Sequence, residues 1–305
     1  MTELDFSDPG QEAGEISTTT IAGFPALTPL DLGEVERDRW GRGKAGGVAC
    51  TRASSLGKLI EDSSALMNWG ARMAAWGVAQ DPVAVDHMRM LNPADPADKQ
   101  ALQRLATDGK DRAQANARAK QGDVFHQVSV MVDQGRDISH LSPEAQAFGR
   151  VYAALIAKYQ LRPLLAETYV GLVDGARPGM DGLEIPVSGS YDRVYQGPKK
   201  VLIGDLKTGS TVDFSGLAFS AQLSVYTRGV IWSTREQRWI DYAELGMPAP
   251  DRGIGVVLHI PADRIDEAAV YTVDLEFGWE VAQVAARVKS MRTVAQSALK
   301  RLGGL

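Results

Sequence analysis

Cysteine is almost missing from this chain: Cys50 is the only one in 305 residues. A single thiol excludes an intramolecular disulfide framework and fits a reducing compartment. Long apolar runs are missing as well. No stretch approaches the ~20 consecutive apolar residues that a membrane helix needs, so no membrane association is expected. Residues 1–15 are acidic and polar, unlike a secretory signal or a transit peptide, and a cytoplasmic location is expected. Positive charge is in deficit, with 33 Lys and Arg against 38 Asp and Glu and a net charge of −5. That balance runs against a broad basic nucleic-acid footprint, although binding depends on local fields rather than on the sum. An ATP cradle is also absent. Leu56-Gly57-Lys58-Leu59 has the outline of a phosphate-binding loop, but it lacks both the glycine five residues upstream and the Ser or Thr after the lysine. It reads as a helix start. No internal repeat or low-complexity tract is evident.

What is present is concentrated in three short pieces: Gly189-Ser190-Tyr191-Asp192, Gly204-Asp205-Leu206-Lys207-Thr208-Gly209 and Gln222-Leu223-Ser224-Val225-Tyr226. Side chains alternate along a strand, so Asp205 and Lys207 share a face at the end of the apolar run Val201-Leu202-Ile203. The turn Gln196-Gly197-Pro198-Lys199-Lys200 links this run to the preceding one. A hairpin symmetric about Pro198-Lys199 sets Asp192 directly across from Asp205. Opposed carboxylates, with Cβ atoms ~4.5–5.5 Å apart, repel and need a shared proton or a cation. Oxygen ligands from two strands suit a hard ion such as Mg²⁺ or Mn²⁺. Gln222 and Tyr226, four apart, share a helix face.

The periodicity predicts a helical N-terminal half and a sheet in the C-terminal half, an α/β fold. Residues 1–45 read as an irregular or mobile arm, 46–162 as a helical region and 163–305 as a core sheet with flanking helices; 46–305 could form one compact unit. Helices are expected at about 54–79, 98–106, 111–134 and 142–159, with a broken region at 82–96. Strands are expected at 164–173, 183–195 and 200–207, a helix at 215–232, strands at 253–260 and 268–277, and a last helix at 279–302. Trp69 and Trp76 are expected to pack in a core or between domains. Lys110, Arg112, Arg118 and Lys120 gather upstream of His126 as candidate DNA contacts.

In this order and spacing the pieces resemble the PD-(D/E)XK nucleases, in particular the RecB-like and Cas4-like exonuclease branch. That branch carries a histidine on an upstream helix, then G-x-x-D, D-x-K and Q-x-x-x-Y. Here these are His126 in Gln121-Gly122-Asp123-Val124-Phe125-His126, Gly189 with Asp192, Asp205 with Lys207, and Gln222 with Tyr226. The resemblance covers roughly residues 120–228 and implies a restriction-endonuclease-like mixed sheet. It implies that His126, Asp192 and Asp205 hold Mg²⁺ or Mn²⁺, that Lys207 serves the chemistry, and that Gln222 and Tyr226 assist positioning. Glu167 falls where such folds can carry a further acidic residue and is a second-tier candidate. Some Cas4-like members hold an iron–sulfur cluster with four cysteines, which one cysteine cannot supply. The activity implied is a metal-dependent, ATP-independent DNA exonuclease of replication, recombination or repair, acting on single-stranded or end-bearing duplex DNA with or without a protein partner. The small size is similar to phage-encoded members, which work in the cytoplasm of a bacterial host. A structure-selective endonuclease is the alternative within enzymes. A non-catalytic DNA-binding or assembly protein that keeps the fold is the alternative outside them.

Overall fold

The protein is described here from a computed structural model, covering residues 27, 30–39, 41–115, 117–172, 183–212 and 216–298. Most of the expected N-terminal arm lies outside these residues, as do 173 of the expected strand 164–173, 215 of the expected helix 215–232 and 299–302 of the expected last helix. Three two-residue strands come first: β1 (Lys44–Ala45), β2 (Val48–Ala49) and β3 (Thr51–Arg52). Six helices follow: α1 (Ala53–Leu56), α2 (Ser64–Ala79), α3 (Pro82–Arg89), α4 (Pro96–Arg112), α5 (Ala117–Asp133) and α6 (Pro143–Lys158). Then come β4 (Arg162–Leu172), β5 (Val187–Gln196), β6 (Val201–Lys207), α7 (Gly216–Arg228), β7 (Val230–Ser233), β8 (Arg238–Ile240), β9 (Ile254–His259), β10 (Ala269–Asp274) and α8 (Leu275–Val294). The fold is α/β with a mixed sheet.

The chain forms two compact units, residues 62–124 and the remainder, with the boundary inside α5. In the smaller unit, α2 and α4 approach closely enough that a Cβ on Gly77 would lie 1.8 Å from the Gly109 carbonyl oxygen. The region expected to be broken holds α3 instead. Asp81 caps it through the N–H groups of Val83 and Ala84, and Pro82 occupies its first position, where a missing N–H does no harm. Asp95 and Pro96 start α4 in the same way. Trp69 and Trp76, expected in a core or between domains, are 40 % and 58 % exposed.

The larger unit is organised by an eight-stranded sheet in the order β10-β9-β6-β5-β4-β7-β8, with β3 pairing β5. The β6–β9 and β3–β5 pairs are parallel, and the others are antiparallel. Helices cover both faces. One core holds Ile203 and Val194 with Ala221 and Val225 of α7 and Val281 and Ala285 of α8. The other holds Leu202 and Leu206 with Val128 of α5 and Phe148 and Ile156 of α6. Alternation along β6 thus assigns Val201 and Ile203 to the α7 side, and Asp205 and Lys207 continue that face beyond Gly204.

Two departures from the expected elements have local causes. The segment 230–232, expected as the end of a helix, is strand β7, because α7 stops at Arg228 ahead of Gly229 and the β-branched Val230-Ile231 pairs with β4 and β8. Helix α8 starts four residues early, since Asp274 accepts the N–H groups of Glu276 and Phe277 and so fixes the start. Helix α8 lies close against α7 at Gly278, where an added Cβ would meet the Ser220 carbonyl oxygen at 2.1 Å. In an open helix, Gly→Ala stabilises by ~1 kcal/mol. Here the clash reverses the sign, and Gly278→Ala is expected to destabilise by ~1–3 kcal/mol in urea unfolding. A gain in stability would show that α7 and α8 are less tightly apposed than described.

Candidate active site

The site begins where β5 loses its neighbours. On one edge β3 pairs with Val187 and Ser188, whereas β6 pairs with Arg193 through Gln196. Gly189-Ser190-Tyr191-Asp192 lies in the gap between them. The β5–β6 register is the symmetric one expected, but its ladder stops at Arg193 opposite Gly204, one step before Asp192 would face Asp205. Asp192 therefore does not form a ladder pair with Asp205. Its carboxylate accepts the Leu206 backbone N–H at 2.7 Å, satisfying a donor left free by the parting strands.

On the other edge β4 pairs with β5; past a register shift between Pro163 and Leu165 one register holds from Leu165 to Leu172, with Ala166 opposite Arg193 and Thr168 opposite Tyr191. Glu167 and Asp192 lie between these pairs. Residues facing the α7–α8 core run Leu165, Val170, Leu172 on β4 and Val194, Tyr191, Val187 on β5. The odd spacings 165–170 and 194–191 show that both strands shift their inward face by one residue here. Glu167 takes a φ of +47°, a left-handed conformation that costs a non-glycine residue ~1–3 kcal/mol. That turn carries its carboxylate to Asp192 and His126. One ligand atom from each of His126, Glu167 and Asp192 lies within 4.8 Å of the others. His126 Nδ1 is 3.5 Å from Asp192 Oδ2. One imidazole and two carboxylates are a donor set that Mg²⁺ and, better, Mn²⁺ accept.

Asp205 is placed differently. It is buried, its Oδ1 accepts from Gln222 Nε2 at 3.1 Å, and its Oδ2 meets the Lys207 ammonium as a close ion pair. Burial pushes the Asp205 carboxyl up to about 6; Lys207 opposes this and the nearby Asp192 charge adds to it. Burial would lower the Lys207 ammonium, but Asp205 and Asp192 more than reverse this and hold it above its ordinary value. Its Nζ lies 4.9 Å above the Phe219 ring. Gln222 also bonds the Tyr226 hydroxyl, whose pKa is raised by burial and then by the Asp205 and Asp192 charges. Tyr226 enters over Gly189: a Cβ there would sit 2.7 Å from the hydroxyl oxygen. The glycine of the first piece and the tyrosine of the third are thus one packing contact. Burial, then the Asp192 charge, raises the Glu167 carboxyl, with Arg193 and His126 pulling it back, although 51 % of the side chain is exposed.

The structure therefore brings His126, Asp192, Asp205, Lys207, Gln222 and Tyr226 together where β5 and β6 part, and the group that could hold a metal contains Glu167, a second-tier candidate, in the place expected for Asp205. Glu167 also lines a cavity of about 660 Å³ with Arg37, Tyr169, Ser190 and Trp232. Of the basic candidates, Lys110, Arg112 and Lys120 belong to the smaller unit, where Arg112 pairs with Asp81 at 2.5 Å; the Arg118 side chain lies outside the described residues. Lys200 pairs with Asp251. Behind the cluster is a group the sequence reading missed: Arg193, Asp133, Ser129, Tyr152 and Tyr195, all buried. The signal available was a charge inside each of two apolar runs, Val128 to Val132 ending at Asp133, and Arg193 beside Val194-Tyr195. Compared with known proteins, the chain matches no family model and no curated protein.

The Asp205 carboxyl binds its proton more tightly folded than unfolded. Its contribution to stability is complete below its unfolded pKa near 3.8 and is lost as the pH rises through about 6. Metal-free protein carrying Asp205→Asn is therefore expected to match or exceed the wild-type Tm at pH 8, by the equivalent of ~1–3 kcal/mol, with the difference closing at pH 4. Thermal melts in chelator across this range provide the check. A variant less stable at pH 8 than at pH 4, relative to wild type, would contradict the sign.

Proposed function

We propose that this chain is a metal-dependent DNA exonuclease built on the restriction-endonuclease-like PD-(D/E)XK core of the RecB-like and Cas4-like nucleases. The observation that carries this reading is the meeting, at one parted pair of strands, of a His126–Glu167–Asp192 donor cluster with a buried Asp205 and a Lys207 held charged beside it. A hairpin built for stability alone has no use for that much like charge.

Asp192, Glu167 and His126 would hold Mg²⁺ or Mn²⁺, with Asp205 adjacent. Such an ion, when bound, polarises a phosphoryl oxygen and lowers the pKa of its water. Lys207 supplies a fixed positive charge, 27 % exposed, where negative charge develops on a phosphate at the edge of the site. Gln222 orients Asp205, and Tyr226 fixes Gln222. The cavity beside Glu167 is of a size to take a nucleotide. No phosphate-binding loop is present in the sequence, so hydrolysis is expected to proceed without ATP. A duplex or single strand with an end is the expected substrate.

Asp192→Ala is expected to abolish Mg²⁺- or Mn²⁺-dependent degradation of linear DNA. Lys207→Ala should lower turnover by ~10²–10³-fold while retaining Mn²⁺ binding by calorimetry, because an ammonium is no ligand. Near wild-type cleavage by either variant would defeat the site as drawn. Covalently closed circles should survive conditions that degrade the same DNA in linear form, with no ATP added. Rapid cutting of single-stranded circles would instead favour an endonuclease.

A further inference from the structure

We infer that Arg193 is a positioning residue that holds all three members of the donor cluster from behind. The inference rests on the metal-site reading above and goes beyond it, because Arg193 itself belongs to none of the three pieces that suggest a nuclease.

The contacts converge on one guanidinium that is 2 % exposed. Its Nη1 donates to the main-chain oxygen of Asp192 at 2.6 Å. The same nitrogen reaches Glu167 Oε1 at 3.4 Å. Its Nη2 donates to Ser129 Oγ at 2.8 Å, and that hydroxyl donates to the main-chain oxygen of His126 at 2.7 Å. Three ligands from three elements, α5, β4 and β5, are therefore referred to one planar group. The remaining nitrogen, Nε, pairs with Asp133, four residues or about one helical turn beyond Ser129 and so its neighbour on the same face of α5. The other oxygen of Asp133 accepts the Tyr152 hydroxyl at 2.8 Å, and the Tyr195 hydroxyl lies 3.0 Å from that of Tyr152. The charge is thus paired and each of its three nitrogens has an acceptor, as a buried ion requires.

This arrangement has a chemical purpose that structure alone does not need. Glu167 occupies a left-handed backbone, and Asp192 sits where β5 has no strand on one side among the described residues. Neither is fixed by regular pairing, and both carboxylates repel. A rigid fork suits them better than an ammonium would, since it bonds in several directions at once. Supports behind metal ligands set ligand orientation and hence affinity.

The test uses the full chain and Mn²⁺ alone as the probe. Arg193→Lys keeps a cation opposite Asp133 but loses the fork, and Ser129→Ala breaks only the link to His126. Mn²⁺ affinity by calorimetry is expected to fall ~10–100-fold in Arg193→Lys, and by a smaller factor in Ser129→Ala. Cleavage in both should recover as Mn²⁺ is raised, which a loss of folding would not permit. Melting in chelator reports folding separately; if Arg193→Lys fails to fold, Ser129→Ala decides. Mn²⁺ affinity within twofold of wild type in the folded variants would overturn the inference. Absence of Mn²⁺ binding by the wild-type protein is a distinct result, which would remove the metal site and the positioning role together.

Discussion

The parting of β5 and β6 governs this molecule. Along one edge β5 is served first by β3 and then by β6, and the interval between them has no strand partner among the described residues. A backbone edge inside a folded unit must find other partners. Asp192 meets this need by accepting the Leu206 N–H, and in doing so it holds its own carboxylate at the mouth of the gap. The tip of β6, with Asp205 and Lys207, is left to α7, which supplies Gln222 and Phe219. Tyr226 fills the space over Gly189. Asp192, Gln222 and Tyr226 thus answer a vacancy beside the ladder, so this part of the candidate site and the fold share one cause.

Behind the gap, the ion pair of Arg193 with Asp133 joins the sheet to α5. Two buried charges are a poor source of stability, because desolvation offsets most of their attraction, and apolar residues of similar volume often serve as well. What apolar residues cannot do is donate hydrogen bonds to a carbonyl, a hydroxyl and a carboxylate together. The Tyr152 and Tyr195 hydroxyls complete the network, leaving the pair satisfied within an otherwise apolar core of Phe148, Ile156 and Leu202.

Much of this was legible in the sequence, and the illegible part has a physical explanation. Alternation along Val201 to Lys207 is regular, so the shared face of Asp205 and Lys207 follows from period alone. The hairpin register followed from its turn residues. The shift of face at Glu167 and Asp192 did not, because it occurs in both strands at once and leaves the register unchanged on either side. A period-two reading passes over it, and so Glu167 stood only as a second-tier candidate. Helix α3 was hidden by prolines that stand at its first position rather than inside it. The short strand β7 was hidden by its position straight after a helix. For Trp69 and Trp76 helical spacing identified a helix but not which of its faces is covered.

The backbone at Glu167 has a consequence for anyone selecting variants of this protein. Glycine or asparagine occupies a left-handed position more comfortably than glutamate. Either would remove a carboxylate that repels Asp192. A screen that rewards heat resistance alone would therefore be drawn toward position 167, and the variants it favoured there would have given up a donor atom. At this residue endurance and chemistry are opposed, and a library scored on both would keep glutamate.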